Sequence, residues 1–198
     1  MTSKVNLILV AAALIVTPVA ANAQFGNLFG GAKSGGANPD EIVKKYTTAA
    51  QSVVRGQQAM LKAIDADKDL AKTEAEAANL ESGTNDPTET SKIVTESAKT
   101  LQESMKNNAP LKDAEAKARF AQGLGYLVKG VLGYKGVVVD LKGFKPSITS
   151  VGGTAVMASK LVTSLPNDVP TLVSLLSAAL EYAKGQDVDI PPDATGAL

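Results

Sequence analysis

Residues 119–141 read RFAQGLGYLVKGVLGYKGVVVDL and form the longest apolar run after the first 23 residues. Large apolar side chains recur in this run at intervals of three and four, the spacing that places them on one side of an α-helix. They are Phe120, Leu124, Leu127, Val131, Tyr134 and Val138. The pattern predicts a central helix of about six turns that begins near Lys112. The β-branched run Val137, Val138 and Val139 also suits extended backbone.

Glycines lie beside this apolar stripe at positions 123, 130 and 133. Each glycine weakens a helix by roughly 0.8–1.0 kcal/mol relative to alanine, so their presence favours a compensating close approach by a neighbouring backbone. We therefore expect this face of the helix to contact an apolar ligand or a partner helix. The predicted contact residues are Gly123, Leu127, Gly130, Val131, Gly133 and Tyr134.

Helical signals continue on both sides of the central run. Asn38 followed by Pro39, Asp40 and Glu41 is typical of a helix start, because an N-cap, a proline in the first turn and acidic residues all suit that end. Apolar spacing and turn residues predict helices at about 39–66, 70–80 and 87–107, then the central helix, then a segment from 147 that Pro166 stops. A last helix is predicted at about 170–184, with Gly185 as its end signal. The fold class is all-α, a helical bundle of about four to six helices over residues 39–185, with a C-terminal tail at 186–198 that lacks a helical pattern.

Residues 1–23 have the composition of a secretory signal peptide. Lys4 precedes an apolar run, and Ala21, Asn22 and Ala23 end it with small residues that suit a signal peptidase. Cleavage is predicted after Ala23, which gives a periplasmic or secreted protein of the bacterial type. A retained membrane anchor is the weaker alternative, because Pro18 lies near the end of the run. The chain has no cysteine, so lipid attachment at cysteine and disulfide bonds are both excluded.

Residues 24–38 are rich in glycine and small polar residues, and they predict a flexible N-terminal segment. Three large apolar side chains interrupt it: Phe25, Leu28 and Phe29. Docking onto the protein itself, onto a partner, and onto a membrane surface all remain open for them.

Charge divides the remaining chain into two unlike halves. Residues 39–119 carry 26 charged residues in 81, whereas residues 120–198 carry 12 in 79. The second half must therefore bury more than one helix face, against the first half, an identical copy, an apolar ligand or a membrane. Without Lys4 of the leader, 19 basic residues face 20 acidic ones and form no basic stripe, so nucleic acid is not expected as a partner.

Catalytic and cofactor signals are scarce. Histidine and cysteine are both absent, which removes the commonest general base, the thiol nucleophile and the usual zinc and haem ligands. The carboxylates of Glu74 with Glu76, and of Asp187 with Asp189, lie in polar segments where solvated surface charge explains them. No catalytic residue and no cofactor is predicted.

A calcium loop is the one metal site that the spacing suggests. Acidic residues take its first, third, fifth and twelfth places: Asp65, Asp67, Asp69 and Glu76. Leu70 takes the sixth place, where an EF-hand needs glycine for its sharp turn. A charged turn between helices explains the same residues without calcium.

These patterns favour an exported, non-catalytic helical protein that binds an apolar ligand or a protein partner through its Gly- and Ala-rich central and C-terminal helices, with self-association included. Two alternatives belong to other classes. One is a membrane-associated or membrane-active periplasmic protein with peripheral membrane contact. The other is an enzyme that uses carboxylates and hydroxyls only, which would require buried acidic side chains to converge in a cleft.

Overall fold

The structure is a computed structural model that describes residues 38–81, 86–107, 110–144 and 153–198, except for the side chains of seven residues between 67 and 81. The described residues belong to one compact unit, Lys33–Leu198. They form five α-helices: α1 Pro39–Ala63, α2 Asp67–Glu81, α3 Pro87–Asn107, α4 Ala114–Lys142 and α5 Gly153–Gly185. A 3₁₀ helix, Pro192–Ala197, follows them. The all-α prediction is confirmed for this part of the chain, whereas the predicted signal peptide and most of the glycine-rich segment lie outside it.

The helix starts follow the predicted capping chemistry. The Asn38 side chain accepts a hydrogen bond from the backbone N–H of Asp40 at 3.0 Å, which satisfies a free donor of the first turn of α1. Asp113 caps α4 in the same way, because its carboxylate accepts from the N–H of Ala116 at 2.8 Å. The predicted boundaries of α3 are confirmed, and the residues 137–139 that also suited extended backbone lie inside α4.

Helix α1 occupies the centre of the bundle, since it contacts each of the other four α-helices. Its longest contact is with α4, and the two helices run antiparallel: Lys45 pairs with Asp140 at 2.8 Å, whereas Gly56 meets Gly123 near the other end. The expectation that neighbouring segments cover the central run is met mainly by α1. Both helices bury apolar stripes in this contact, and the core has its centre there.

Helix α5 differs from the prediction, because it is one helix where we expected a stop at Pro166 and a new start at Pro170. Both prolines lie inside α5. The reason is the buried stripe on its inner side, which continues across the prolines at alternating intervals of three and four residues: Ala158, Leu161, Leu165, Asp168, Leu172, Leu175 and Ala179. Pro166 and Pro170 themselves face solvent, where water can satisfy the backbone carbonyls that lack an N–H partner.

The C-terminal residues also differ from the expectation of an irregular tail. The 3₁₀ helix packs against α4 and buries Ala194 and Ala197, and Lys135 Nζ donates a hydrogen bond to the backbone oxygen of Leu198 at 3.0 Å. The left-handed residue after α5 is Asp187, with φ 52°, and not Gly185, which is the last residue of the helix. Short segments without apolar periodicity thus join the core through two small side chains.

Candidate functional site

The six predicted contact residues on α4 all lie in the interior. Leu127, Val131 and Tyr134 have no exposed surface. The three glycines are also buried. The structure therefore brings the predicted set together, but its neighbour is the chain's own bundle. A ligand or partner would reach these residues only if α4 separated from α1.

The glycines explain how closely α1 and α4 approach. A Cβ atom built on Gly56 would lie 2.8 Å from the carbonyl oxygen of Gly123 and 2.8 Å from the backbone nitrogen of Leu127. A Cβ atom on Gly130 would lie 2.5 Å from Cγ2 of Val53 and 2.9 Å from its backbone nitrogen. Real Cβ atoms do not approach backbone this closely, so the close approach inferred from the glycines is made within the bundle.

The other two predicted sets have different outcomes. Phe25, Leu28 and Phe29 lie outside the described residues. Of the candidate calcium ligands, Asp65 is exposed, has a left-handed backbone with φ 52° and forms an ion pair with Lys112. The backbone from Asp67 to Glu81 is an α-helix, whereas an EF-hand places its ligands on a loop. Among the residues that the structure describes, no group of three or more acidic, histidine or cysteine side chains could hold a metal ion.

A buried polar cluster lies where α1, α3, α4 and α5 meet. We call it the Asp168 cluster, and its members are Tyr46, Ser91, Tyr134 and Asp168. Ser91 Oγ donates to Asp168 Oδ1 at 2.5 Å, while Asp168 Oδ2 has no hydrogen-bond partner. The rings of Tyr46 and Tyr134 meet edge to face, with centroids 5.4 Å apart.

The tyrosines of this cluster differ in their hydrogen bonding. Tyr46 Oη donates to the backbone oxygen of Pro87 at 3.1 Å, whereas Tyr134 Oη is buried without a partner. Burial raises the pKa of both tyrosines, and the nearby Asp168 carboxylate raises the pKa of each further. Both phenols therefore stay protonated at neutral pH, and neither acts as a base there.

Asp168 is the member of the cluster whose carboxyl has a raised pKa. Burial raises the pKa of its carboxyl above the ordinary aspartate value, and the hydrogen bond from Ser91 opposes that rise. The sequence patterns described above did not identify Asp168 as a functional candidate. Its place in the three-and-four spacing of α5, between Leu165 and Leu172, was the signal that marks it as buried.

The outer side of α5 is the second unusual feature. Its exposed residues between 153 and 174 number ten, of which one is charged; they are Gly153, Val156, Ser159, Lys160, Val162, Thr163, Pro166, Asn167, Pro170 and Ser174. Lys160 forms an ion pair with Asp86 of the same chain. That hydrogen-bonded pairing with Lys160 holds the pKa of the Asp86 carboxyl below its usual range. We call this surface the α5 outer face.

Helix α1 gives the contrast. Its five exposed residues are all charged: Asp40, Glu41, Lys44, Arg55 and Lys62. On the α5 outer face, by comparison, Val156 is 55% exposed and Val162 is 52% exposed. The charge asymmetry noted in the sequence thus persists at the surface of the folded chain, where Lys160 is the one charged residue among the ten of the α5 outer face.

A partly open cleft lies between α1 and α2. It is lined by Gln51, Val54, Arg55, Ala77 and Leu80 and is open to solvent, so it does not enclose a ligand in the way that ligand pockets do.

The helices in the described residues are each too short or too polar to cross a membrane. Comparison with protein-family models, with curated proteins and with solved structures finds no match to this chain. The functional argument therefore rests on the geometry of the Asp168 cluster and of the α5 outer face.

Proposed function

We propose that this chain is an exported, non-catalytic binding protein, and that a partner protein with an uncharged, apolar contact surface docks on the α5 outer face. The proposal follows the sequence in assigning binding to the C-terminal helices. It moves the contact from the buried glycines of α4 to the solvent side of α5. Export rests on the signal-peptide pattern of residues 1–23.

The observation that carries the proposal is the near absence of charge on this exposed helix side. Solvated helix faces normally carry charged residues, as α1 does, and interface centres are depleted of charge. The charge of Lys160 is already matched by Asp86 within the chain, so docking a neutral surface leaves no unpaired charge behind. A strongly charged partner would find no complementary group here, which defines the chemistry of the partner.

The size of the face sets the expected strength. Twenty-two helical residues extend about 33 Å, and a side-chain width of about 10 Å gives a contact of a few hundred Å² on this helix. Stable complexes bury about 800 Å² on each partner, so α5 alone supports a weak or transient complex. A protein occupant fits this convex surface better than a small apolar ligand does, because such ligands need an enclosing pocket.

The enzymatic alternative has less support in the geometry. Asp168 is the buried carboxyl of the described residues, and the tyrosines beside it stay protonated. Acid–base catalysis would need a second ionisable group and an opening that admits substrate to it. The Asp168 side chain has no exposed surface.

The proposal is tested by photo-crosslinking in the native host, with a photoreactive residue at Val162 and, as a matched control, at Lys44 on the charged side of α1. Both positions are exposed, so neither replacement disturbs the core. We expect a specific protein adduct from position 162 and none from position 44. The adduct is then identified, purified, and its dissociation constant measured with the unmodified chain.

A charge on the face should weaken that complex. Val162→Asp should raise the dissociation constant at least tenfold, because it buries an unpaired carboxylate in the contact, whereas Lys44→Asp should not change it. Equal binding by both variants, or equal crosslinking from both positions, would refute the proposed face. An adduct of twice the chain mass would show that the face binds a second copy of this chain and not a different protein. A lipid adduct would show that it contacts a membrane.

A further inference from the structure

Asp168 is a buried acid in an otherwise apolar stripe. Its neighbours along the inner side of α5 are Leu161, Leu165, Leu172 and Leu175, and its own exposed surface is 0%. An ionised carboxylate in such a place is unfavourable unless a cation or several donors compensate it. The cations and hydrogen-bond donors around Asp168 therefore determine whether the folded protein favours the ionised or the protonated carboxyl.

The groups that face Asp168 come from each helix packed against it. Helix α3 supplies Ser91, which donates the one hydrogen bond to Oδ1. Helices α1 and α4 supply Tyr46 and Tyr134, whose pKa values are raised by the Asp168 charge. Two lysines near this end of the bundle are paired with other carboxylates: Lys160 with Asp86, and Lys45 with Asp140.

The two oxygens of the Asp168 carboxyl differ in their hydrogen bonding. Asp168 Oδ2 is buried and accepts no hydrogen bond. A proton on Oδ2 would remove the buried charge while Oδ1 kept its bond from Ser91. We infer that Asp168 is a proton-binding site of the folded protein, occupied at pH values where an exposed aspartate is ionised.

The direction of the linkage follows from the raised pKa of Asp168 in the fold. The unfolded chain has an ordinary aspartate pKa of about 3.9, so the folded protein holds the proton more tightly. The resulting stabilisation is fully present below about pH 3.9 and is lost as pH rises through the folded pKa. Within that window one proton changes the folding equilibrium constant by up to about tenfold per pH unit.

The location gives the proton a structural consequence. Asp168 lies between Pro166 and Pro170, where α5 lacks two N–H donors of its hydrogen-bond ladder. Packing of the inner stripe holds the helix together at this point, and the ionised carboxylate opposes that packing. Protonation strengthens the weakest part of α5, and this inference does not depend on the proposed docking face.

Carbon-13 NMR of the side-chain carboxyls tests the site directly in the purified protein. The Asp168 resonance is assigned as the one that Asp168→Asn removes. Its titration midpoint should lie above about 3.9, the pKa of an ordinary aspartate. A midpoint at or below about 3.9 would overturn the inference, whatever the stability of the variant.

Ser91→Ala gives a second readout. Because Ser91 donates to the ionised form, its loss should move the Asp168 midpoint to still higher pH. A purely structural serine would leave the midpoint unchanged, and that result would contradict the proposed proton site.

Urea unfolding from pH 4.5 to pH 8 measures the linkage. The ratio of the wild-type folding equilibrium constant to that of Asp168→Asn should rise as pH falls. Its steepest rise should be about tenfold per pH unit. Thr163→Ala, an exposed substitution on α5 that changes no ionisable group, should run parallel to the wild type. Parallel curves for Asp168→Asn as well would show that no proton is taken up at this carboxyl on folding.

Discussion

At the scale of single residues, two glycines of α4 matter because they have no side chain. Gly123 and Gly130 lie seven positions apart, and each faces α1 at a distance that a side chain would prevent. The loss of helix propensity at these positions is offset by dispersion contacts between two backbones that approach closely. Gly125, on the same helix, has open space where a Cβ would stand, so it has no such role.

Alanine substitutions should separate these two kinds of glycine. Gly130→Ala should lower the free energy of unfolding by about 1–3 kcal/mol, because the new methyl group meets Val53 backbone and forces the helices apart. Gly125→Ala should raise it by about 0.5–1 kcal/mol through helix propensity alone. Urea denaturation of both variants measures the difference, and a shift of the same sign in both would contradict the close crossing.

At the scale of elements, α5 shows that local signals compete with packing. A proline inside a helix is unfavourable by about 3 kcal/mol, and α5 contains two. The four leucines buried on the inner side, at positions 161, 165, 172 and 175, outweigh that penalty, because burying one leucine contributes about 1.5–3 kcal/mol. The stop predicted at Pro166 was wrong for this reason.

Removal of the second proline should therefore stabilise the protein. In Pro170→Ala the restored N–H can donate to the carbonyl of Pro166, and the free energy of unfolding should rise by about 1–3 kcal/mol. Pro39→Ala is the control, because Pro39 lies in the first turn of α1, where its N–H would have no helical partner. That variant should change little or lose about 0.4–1 kcal/mol through the unfolded state. Chemical denaturation compares the two, and destabilisation by Pro170→Ala would mean that α5 needs the proline.

At the scale of the whole molecule, α1 contacts each of the other four α-helices, and the C-terminal 3₁₀ helix packs against α4. Contacts from α1 to every other helix tie the described core into one unit. The 3₁₀ helix adds Ala194 and Ala197 to that core, although the sequence around them has neither apolar periodicity nor a helix start. Small side chains fit against a helix without producing any pattern that a sequence shows.

A charge placed under the 3₁₀ helix tests this packing. Ala197→Glu should dislodge the element from α4, lower the free energy of unfolding by about 1–3 kcal/mol and speed carboxypeptidase digestion, because a buried unpaired carboxylate is unfavourable. Gly196→Ala is the matched control, since an added Cβ there meets nothing within 4 Å. Equal digestion of both variants would show that the C-terminal residues do not depend on this contact.

The local chemistry of the chain was sufficient for the helical class and most helix boundaries. Asn38 with Pro39, and Pro87 at the start of α3, mark their helices by interactions within one turn. Amphipathic spacing identified the stripe of α4, and the glycines beside it predicted a close approach by a neighbouring backbone. These features depend on neighbours in sequence, and for that reason the sequence shows them.

Tertiary structure alone decided which helix covers which. It placed α1 against the α4 glycines, so that the predicted contact residues became core, and it buried the Asp168 carboxyl near Tyr134. It also left the outer side of α5 exposed among the described residues, with Lys160 as its one charge. Such outcomes depend on the total burial of side chains that lie far apart in sequence. Patterns within one helix cannot show that total, because they involve only residues that are close in sequence.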